Sequence, residues 1–292
     1  MTRLRIRHET RYTYERPVRF GPQRLMLRPR DSHAARIVEA TLELSPLGAV
    51  RWVYDALGNC VCWYTPDTPS TELVIVSNLL IERFPAPLSP FEIGDPHTAT
   101  PIVYDREDRT ALEPFMAPAT DDEALGLLTW LRSQMGRADE PALDFLLRLN
   151  SAIHQEFAYG ARHDEGTQSP AETLRLGSGT CRDFAWLMVE GLRRLGYAAR
   201  FVTGYLYSAK ASKVRGASAT HAWVEVFLPG LGWMEFDPTN GLAESPDLIA
   251  VASARTPSQA APVSGSIFGD PGDSHLDVKV DVQLAGPVLG AA

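Results

Sequence analysis

Over the first 84 residues apolar and polar positions alternate with a period of two, the pattern of half-buried strands. Leu4-Arg5-Ile6-Arg7-His8 and the run Arg36 to Leu44 alternate, and Val50 to Trp63 and Leu73 to Phe84 are further β-rich stretches. The breaks between them, Ser45-Pro46-Leu47-Gly48, Leu57-Gly58-Asn59 and Pro66-Asp67-Thr68-Pro69, carry turn chemistry. This predicts an antiparallel sheet, sandwich or barrel-like, over residues 1–100. His8 and His33 read as ordinary surface residues of that sheet. Pro85 to Pro118 is rich in proline and polar residues and predicts a connection, with a linker at 101–120 and a short edge strand at Pro101–Asp105.

Beyond that stretch the period changes to that of helices. Asp121, Asp122 and Glu123 place negative charge where a helix N-terminus favours it, ahead of Leu125, Leu128 and Leu131. Pro141 opens a second helix with an inner stripe of Leu143, Leu146, Leu147, Ile153 and Phe157, and His154 lies near that stripe as a possible second base. A short helix at Pro170–Leu174 leads into Gly177-Ser178-Gly179-Thr180-Cys181-Arg182-Asp183. Thr180 followed three residues later by Asp183 is the pattern of a capping box, so Cys181 falls on the first helical residue. There the unpaired backbone N–H groups and the helix dipole favour an anion, which pushes a thiol toward thiolate. Phe184, Leu187, Met188, Leu192 and Leu195 recur at three- and four-residue spacing and bury one face; Gly196 stops the helix. A cysteine in such a helix is by itself most often a small buried hydrophobe, so its partners decide its role.

Those partners lie in two alternating runs, Thr220 to Leu228 and Trp233 to Asp237, joined across Pro229-Gly230-Leu231-Gly232 as a β-hairpin. An odd loop of three or five residues puts Trp223 opposite Asp237, making His221 and Asp237 diagonal neighbours on one face; a four-residue loop puts them on opposite faces. A carboxylate beside an imidazole is what a nucleophilic triad requires: it orients the ring and stabilises imidazolium while the other nitrogen takes the thiol proton.

The blocks GSGTCRDFAWL around Cys181, HAWVEV at His221 and WMEFDPTNG at Asp237 resemble the transglutaminase-like superfamily. The leading segments Tyr12 to Val18 and Leu25 to Arg30 are similar to the amino-terminal region of its bacterial members. The resemblance implies an α+β fold: an amino-terminal antiparallel β domain, then a papain-like core at 121–245. In that core Cys181 would be nucleophile, His221 base and Asp237 orienting acid. The expected reaction is acyl transfer on a peptide or protein carboxamide through a thioester, resolved by water or by an amine. The superfamily also contains inactive members, so the alternative is a silent module that binds peptide or a partner protein.

After the core, the Ala/Ser/Pro/Gly-rich segment 246–274 reads as flexible or a lid. His275 to Leu284 then alternates so regularly that a strand at 275–292 is expected to return to the amino-terminal sheet. Bacterial members commonly carry a glycine-arginine-aspartate run where this chain has Ala254-Arg255-Thr256, which bears on substrate choice. Lys210 to Ala219 is a basic loop that lands at His221 and is expected to gate the site. The aromatic residues Trp186, Trp223 and Trp233 fit core packing better than cleft lining.

Composition adds exclusions. A net charge of −8 over 292 residues argues against a general nucleic-acid partner. The start is too polar for a signal peptide, and no apolar run approaches a membrane span, so the default is a reduced, cytoplasmic protein. Three cysteines do not make a disulfide framework, and Cys60-x-Cys62 lacks the second pair of a zinc site. Glu225, Glu235 and Glu244 lack the closely spaced ligand loop of a calcium site, so no cofactor or metal is expected. The pattern sets no oligomeric state.

Overall fold

The regular alternation at the amino terminus becomes strand β1 (Thr2–Phe20), in which Leu4, Ile6, His8 and Thr10 turn inward. The computed structural model describes residues 2–84, 100–119, 124–136, 140–160, 166–207, 215 and 219–286. The acidic start at Asp121–Glu123 lies outside these residues, as does all of the basic loop 210–219 except Arg215 and Ala219. β1 pairs antiparallel with β6 (Ser70–Arg83) on one side, and β6 with β3 (Ala35–Ser45). A second sheet joins β2 (Gln23–Leu25), β5 (Cys60–Pro66) and β4 (Gly48–Tyr54). Leu25, Cys62 and Tyr64 of this sheet pack against Leu73 and Ile75 of β6, which gives the amino-terminal region its own sandwich-like core. Cys60 and Cys62 are both buried, and burial raises the pKa of each thiol, that of Cys62 to about 11.

The helices are α1 (Arg106–Met116), α2 (Ala124–Gln134), α3 (Ala142–Glu156), α4 (Pro170–Leu176) and α5 (Cys181–Arg194). The parallel pair β7 (Ala158–Tyr159) and β8 (Ser178–Gly179) lies between α3 and α5 in the chain. α1 occupies the stretch expected as a linker: the Asp105 carboxylate accepts the Asp108 N–H at 2.8 Å and caps it. Pro101–Asp105 forms no strand, although Ile102 and Tyr104 are buried. In α3 the inward residues are Phe145, Leu146, Leu149 and Ile153, whereas Leu147 is 37% exposed. At about 100° per residue Phe145, Leu149, Ile153 and Leu146 share an arc of about 100°, and Leu147 falls well beyond it.

β9 (Ala199–Leu206), β10 (His221–Leu228), β11 (Gly232–Asp237), β12 (Leu242–Ala243) and β13 (Leu248–Ala254) form the third sheet, in the order β12-β11-β10-β9-β13. Phe184, Leu187, Met188 and Leu192 of α5 meet Val224, Val226 and Phe236 of this sheet in the largest core. α5 also carries a buried ion pair, Glu190–Arg193, with both side chains at zero exposure. The Arg193 guanidinium donates to the carbonyls of Phe115, Ala199 and Arg255, so one charge ties together the ends of α1, β9 and β13. Hydrogen bonds from all three of its nitrogens, with the Glu190 charge beside it, make this buried guanidinium tolerable.

The segment 246–274, expected as flexible or a lid, is largely built into sheets. β13 pairs with β9 along the edge of the third sheet. A short 3-10 turn, Pro257–Ala260, follows. β14 (Val263–Ser264) and β15 (Ile267–Phe268) then add to β2 and β1. The small residues suit this role, because Ala252, Ala254 and Ala260 are all buried where larger side chains would not fit. β16 (Ser274–Leu284) returns to the amino-terminal sheet and pairs with β1 from Leu4 to Tyr14, as its alternation predicts.

The first and third sheets meet through Leu4, Ile6, Leu79 and Ile81 on one side and Tyr205, Ile249 and Val251 on the other. His8 sits in this junction at 1% exposure, which corrects its reading as a surface residue. Its Nδ1 lies 3.1 Å from the Tyr205 hydroxyl and its Nε2 3.0 Å from Thr10 Oγ1. Burial lowers the His8 pKa from 6.5 to about 4. The unfolded chain therefore takes up a proton below pH 6.5 that the folded chain refuses, and stability falls as pH drops from 6.5 toward 4. His8→Phe is expected to flatten that part of the stability curve by up to about 3 kcal/mol, read by urea unfolding at successive pH values. An unchanged slope would remove His8 as its source.

Candidate active site

The loop before α5 is built by glycines used for different purposes. Gly177 caps α4 in the left-handed conformation, with φ of 61°. Gly179 provides clearance, since a Cβ there would lie 2.9 Å from the Asp183 Cβ. Through that gap the fully buried Asp183 carboxylate folds back on the helix start. It accepts the Thr180 N–H and hydroxyl, each at 2.8 Å, and the Gln168 N–H at 2.7 Å. The acid thus fixes the turn and delivers Cys181 as the first residue of α5, 7% exposed, where its N–H has no partner four residues back in the helix.

His221 opens β10 opposite Gly204 of β9. A Cβ at position 204 would meet the Ile249 carbonyl at 2.1 Å and the Trp223 ring at 2.7 Å, so glycine lets the strands and this indole close together. Trp223 is stacked on the imidazole, with centroids 6.0 Å and planes 27° apart, and its Nε1–H donates to Glu235 at 3.0 Å. The β10–β11 loop has three residues, with Val224 opposite Phe236 and Leu228 opposite Gly232. This is the odd case, and it places His221 and Asp237 on one face.

The two are joined directly: His221 Nε2–H donates to Asp237 Oδ2 at 2.8 Å, with neither side chain exposed. Asp237 receives three further donors. Thr239 N–H and Asn240 N–H reach Oδ1 at 2.9 and 3.3 Å, and Asn240 Nδ2 reaches Oδ2 at 2.8 Å. The other imidazole nitrogen, Nδ1, is buried without a conventional hydrogen-bond partner, and the ring interacts with the Cys181 thiol. The structure therefore brings Cys181, His221 and Asp237 together, with Nε2 committed to the carboxylate and Nδ1 left for sulfur.

The electrostatics follow from this arrangement. Burial disfavours the charged imidazole, but the Asp237 charge and hydrogen bond, with Cys181 added, outweigh it and raise the His221 pKa to about 10. Burial alone would raise Asp237, but His221, Asn240 and the Thr239 N–H bring it below its ordinary value. A carboxylate and an imidazolium each make the other affordable inside the fold.

Thr239, Asn240 and Tyr159, which support the site, were not singled out in the sequence. Asn240 and Thr239 hold Asp237, and the signal for them was the Asp-Pro-Thr-Asn spacing, in which an Asp side chain accepts backbone N–H groups two and three residues on. Tyr159, half-buried and ring-to-edge with Phe184, senses the charges of both Cys181 and Asp237. His154 lies behind the Asp237 turn with Nδ1 2.8 Å from the Thr239 carbonyl, which makes it a strut there. Trp186 is buried, and Trp233 packs against Phe115 and Phe227. Arg255 of the Ala254-Arg255-Thr256 segment donates to the Pro114 and Pro118 carbonyls at the end of α1. Glu235 and Glu244 are joined through the Glu235 N–H, and Glu225 bonds Arg200 and Ser253. Among the described residues no cluster of His, Cys, Asp and Glu has the arrangement to hold a metal.

Comparison with known proteins agrees with this architecture. Residues 129–238, which contain all three site residues, match the transglutaminase-like superfamily. Residues 4–82 match the bacterial transglutaminase-like N-terminal region. The chain belongs to the transglutaminase-like superfamily, in its bacterial form with a β-rich amino-terminal region. An uncharacterised protein of Mycobacterium tuberculosis is 28% identical over 305 residues, covering 96% of this chain and 92% of its own. One of Mycobacterium leprae is 27% identical over 97% of this chain and 99% of its own. A crystal structure of a candidate cysteine protease from Cytophaga hutchinsonii superposes with a TM-score of 0.75 over 99% of this chain and 92% of that one, at 18% identity, a likeness of fold.

If Asp237 orients the imidazole, Asp237→Asn should cut the rate of acyl transfer by up to about ten-thousandfold, as in serine-type triads. It should also bring the apparent pKa of His221 down, measurable by NMR titration of the ring. A rate and a titration both equal to the parent's would remove Asp237 from the site.

Proposed function

We propose that the protein is a cysteine-nucleophile enzyme that transfers the acyl group of a carboxamide or peptide bond through a thioester. The observation that carries this reading is the buried His221–Asp237 pair, whose remaining ring nitrogen is left for Cys181 at a helix start. A packing role explains none of this, since burying an ionisable pair costs free energy that apolar residues of similar size would avoid.

In the proposed cycle His221 Nδ1 takes the Cys181 proton and the sulfur attacks the carboxamide carbon. The carbonyl electrons move onto oxygen, where the Cys181 N–H is placed to donate. The imidazolium passes its proton to the nitrogen as the carbon–nitrogen bond breaks, and the amine leaves. Water or a second amine, deprotonated by His221, then attacks the thioester and the thiolate departs. Water makes the enzyme an amidase or peptidase; an amine makes it a transglutaminase. Substrates of this reading are peptides or proteins presenting a carboxamide.

Cys181→Ala is expected to abolish acyl transfer while leaving stability within about 1–2 kcal/mol of the parent, because it removes one sulfur from a tight site. The parent, incubated with carboxamide peptides and quenched in acid, should show an acyl adduct on Cys181 by peptide mass spectrometry. Retained transfer in the alanine variant would overturn the nucleophile assignment.

A further inference from the structure

Two guanidinium groups flank the triad without a carboxylate partner among the described residues, in a chain whose net charge is −8. Arg182 follows Cys181 directly, is exposed, and makes no hydrogen bond or ion pair there. Arg215 lies at the turn that follows Asp237. Its backbone N–H donates to Asn240 Oδ1 at 3.0 Å, and Asn240 in turn holds Asp237, so the residue is tied to the site's own scaffold. Its guanidinium lies 5.9 Å over the Tyr159 ring, and its nearest polar contacts are the His154 and Thr239 carbonyls at 3.5 Å. Tyr159 pairs with Gly179, two residues before Cys181, so the Arg215 guanidinium over its ring stands beside the loop that delivers the thiol and Arg182.

Among the described residues, the acids of the site do not neutralise them. Asp237 is bonded to His221, and Asp183 is buried under Thr180 and Gln168. Elsewhere arginines are joined to carboxylates, as in Arg3–Glu82, Arg148–Glu140 and Arg200–Glu225. Cations without a carboxylate partner among the described residues, set beside a nucleophile, raise the local concentration of anions and stabilise one bound next to the reacting carbon.

We infer that Arg182 and Arg215 select acyl donors that carry a carboxylate close to the carboxamide under attack. The inference rests on the acyl-transfer reading above and names its substrate class: anionic peptides or amides in preference to neutral ones.

The test uses two alkylating agents of nearly the same size, iodoacetate and iodoacetamide, which differ in one negative charge next to the carbon that sulfur attacks. Second-order rates at Cys181 are measured for both at low salt by peptide mass spectrometry, in the full chain and in Arg182→Gln, Arg215→Gln and the double variant. Taking the ratio of the two rates cancels any general change in thiol reactivity. The iodoacetate-to-iodoacetamide ratio should fall about threefold for each arginine removed, the size expected for one charge about 7 Å away in water. In the parent it should also fall toward that of the double variant in 1 M salt. Arg182 is exposed, so its variant reports on charge without a folding defect. Ratios unchanged in both single variants, with Cys181 still labelled, overturn the inference and leave the acyl-transfer reading standing. Cys181 labelled by neither reagent removes both.

Discussion

A carboxylate with no solvent exposure is the constraint around which the catalytic half is arranged. Asp237 can remain charged inside the fold only because four donors converge on it, from His221, Thr239 and both amide groups of Asn240. Three of the four come from the turn that ends β11, so the carboxylate is satisfied locally before the imidazole arrives. The fourth comes from the neighbouring strand, and its register depends on a three-residue loop. A longer loop by one residue would turn His221 to the opposite face and leave the carboxylate one donor short.

The thiol is supplied by a separate device. α5 is nearly all buried, so its axis is fixed by packing of Phe184, Leu187 and Leu192 against the third sheet. Its first residue is fixed by Asp183, which grips the loop through Thr180 and Gln168. Two acids therefore have complementary tasks: Asp183 locks the start of α5, and Asp237 fixes the His221 ring. On the proposed acyl-transfer reading neither needs to change position during turnover, and such preorganisation lowers a barrier without reorganising the protein at the moment of reaction. The amino-terminal sheet contributes from behind, since Leu4, Ile6 and His8 back the strands β9 and β13 that support β10.

Much of this was legible in the sequence because it depends on short-range pattern. The alternation of β1 and β16 and the capping pattern Thr180-x-x-Asp183 are set within single elements, and the hairpin at His221 to Asp237 left only the length of its loop open. What escaped is set by distant residues. His8 reads as a surface position until Tyr205, 197 residues away, closes over it. The buried Glu190–Arg193 pair has no signal in the sequence, because the three carbonyls that reach the guanidinium come from three other elements. The small-residue segment after β12 looks like a linker because alanine and serine carry little apolar signal, yet small size is what lets β13 press against β9. α1 was hidden by Pro114, near its end, although Asp105 marked its start.

The central claim is that His221 activates Cys181, and the pH dependence of Cys181 alkylation tests it most directly. With the imidazole beside the sulfur, labelling should be rapid already near pH 6, confined to Cys181 rather than Cys60 or Cys62, and lost in His221→Ala. Labelling that rises only near the ordinary thiol pKa of about 8.5, and equally in both proteins, would contradict it.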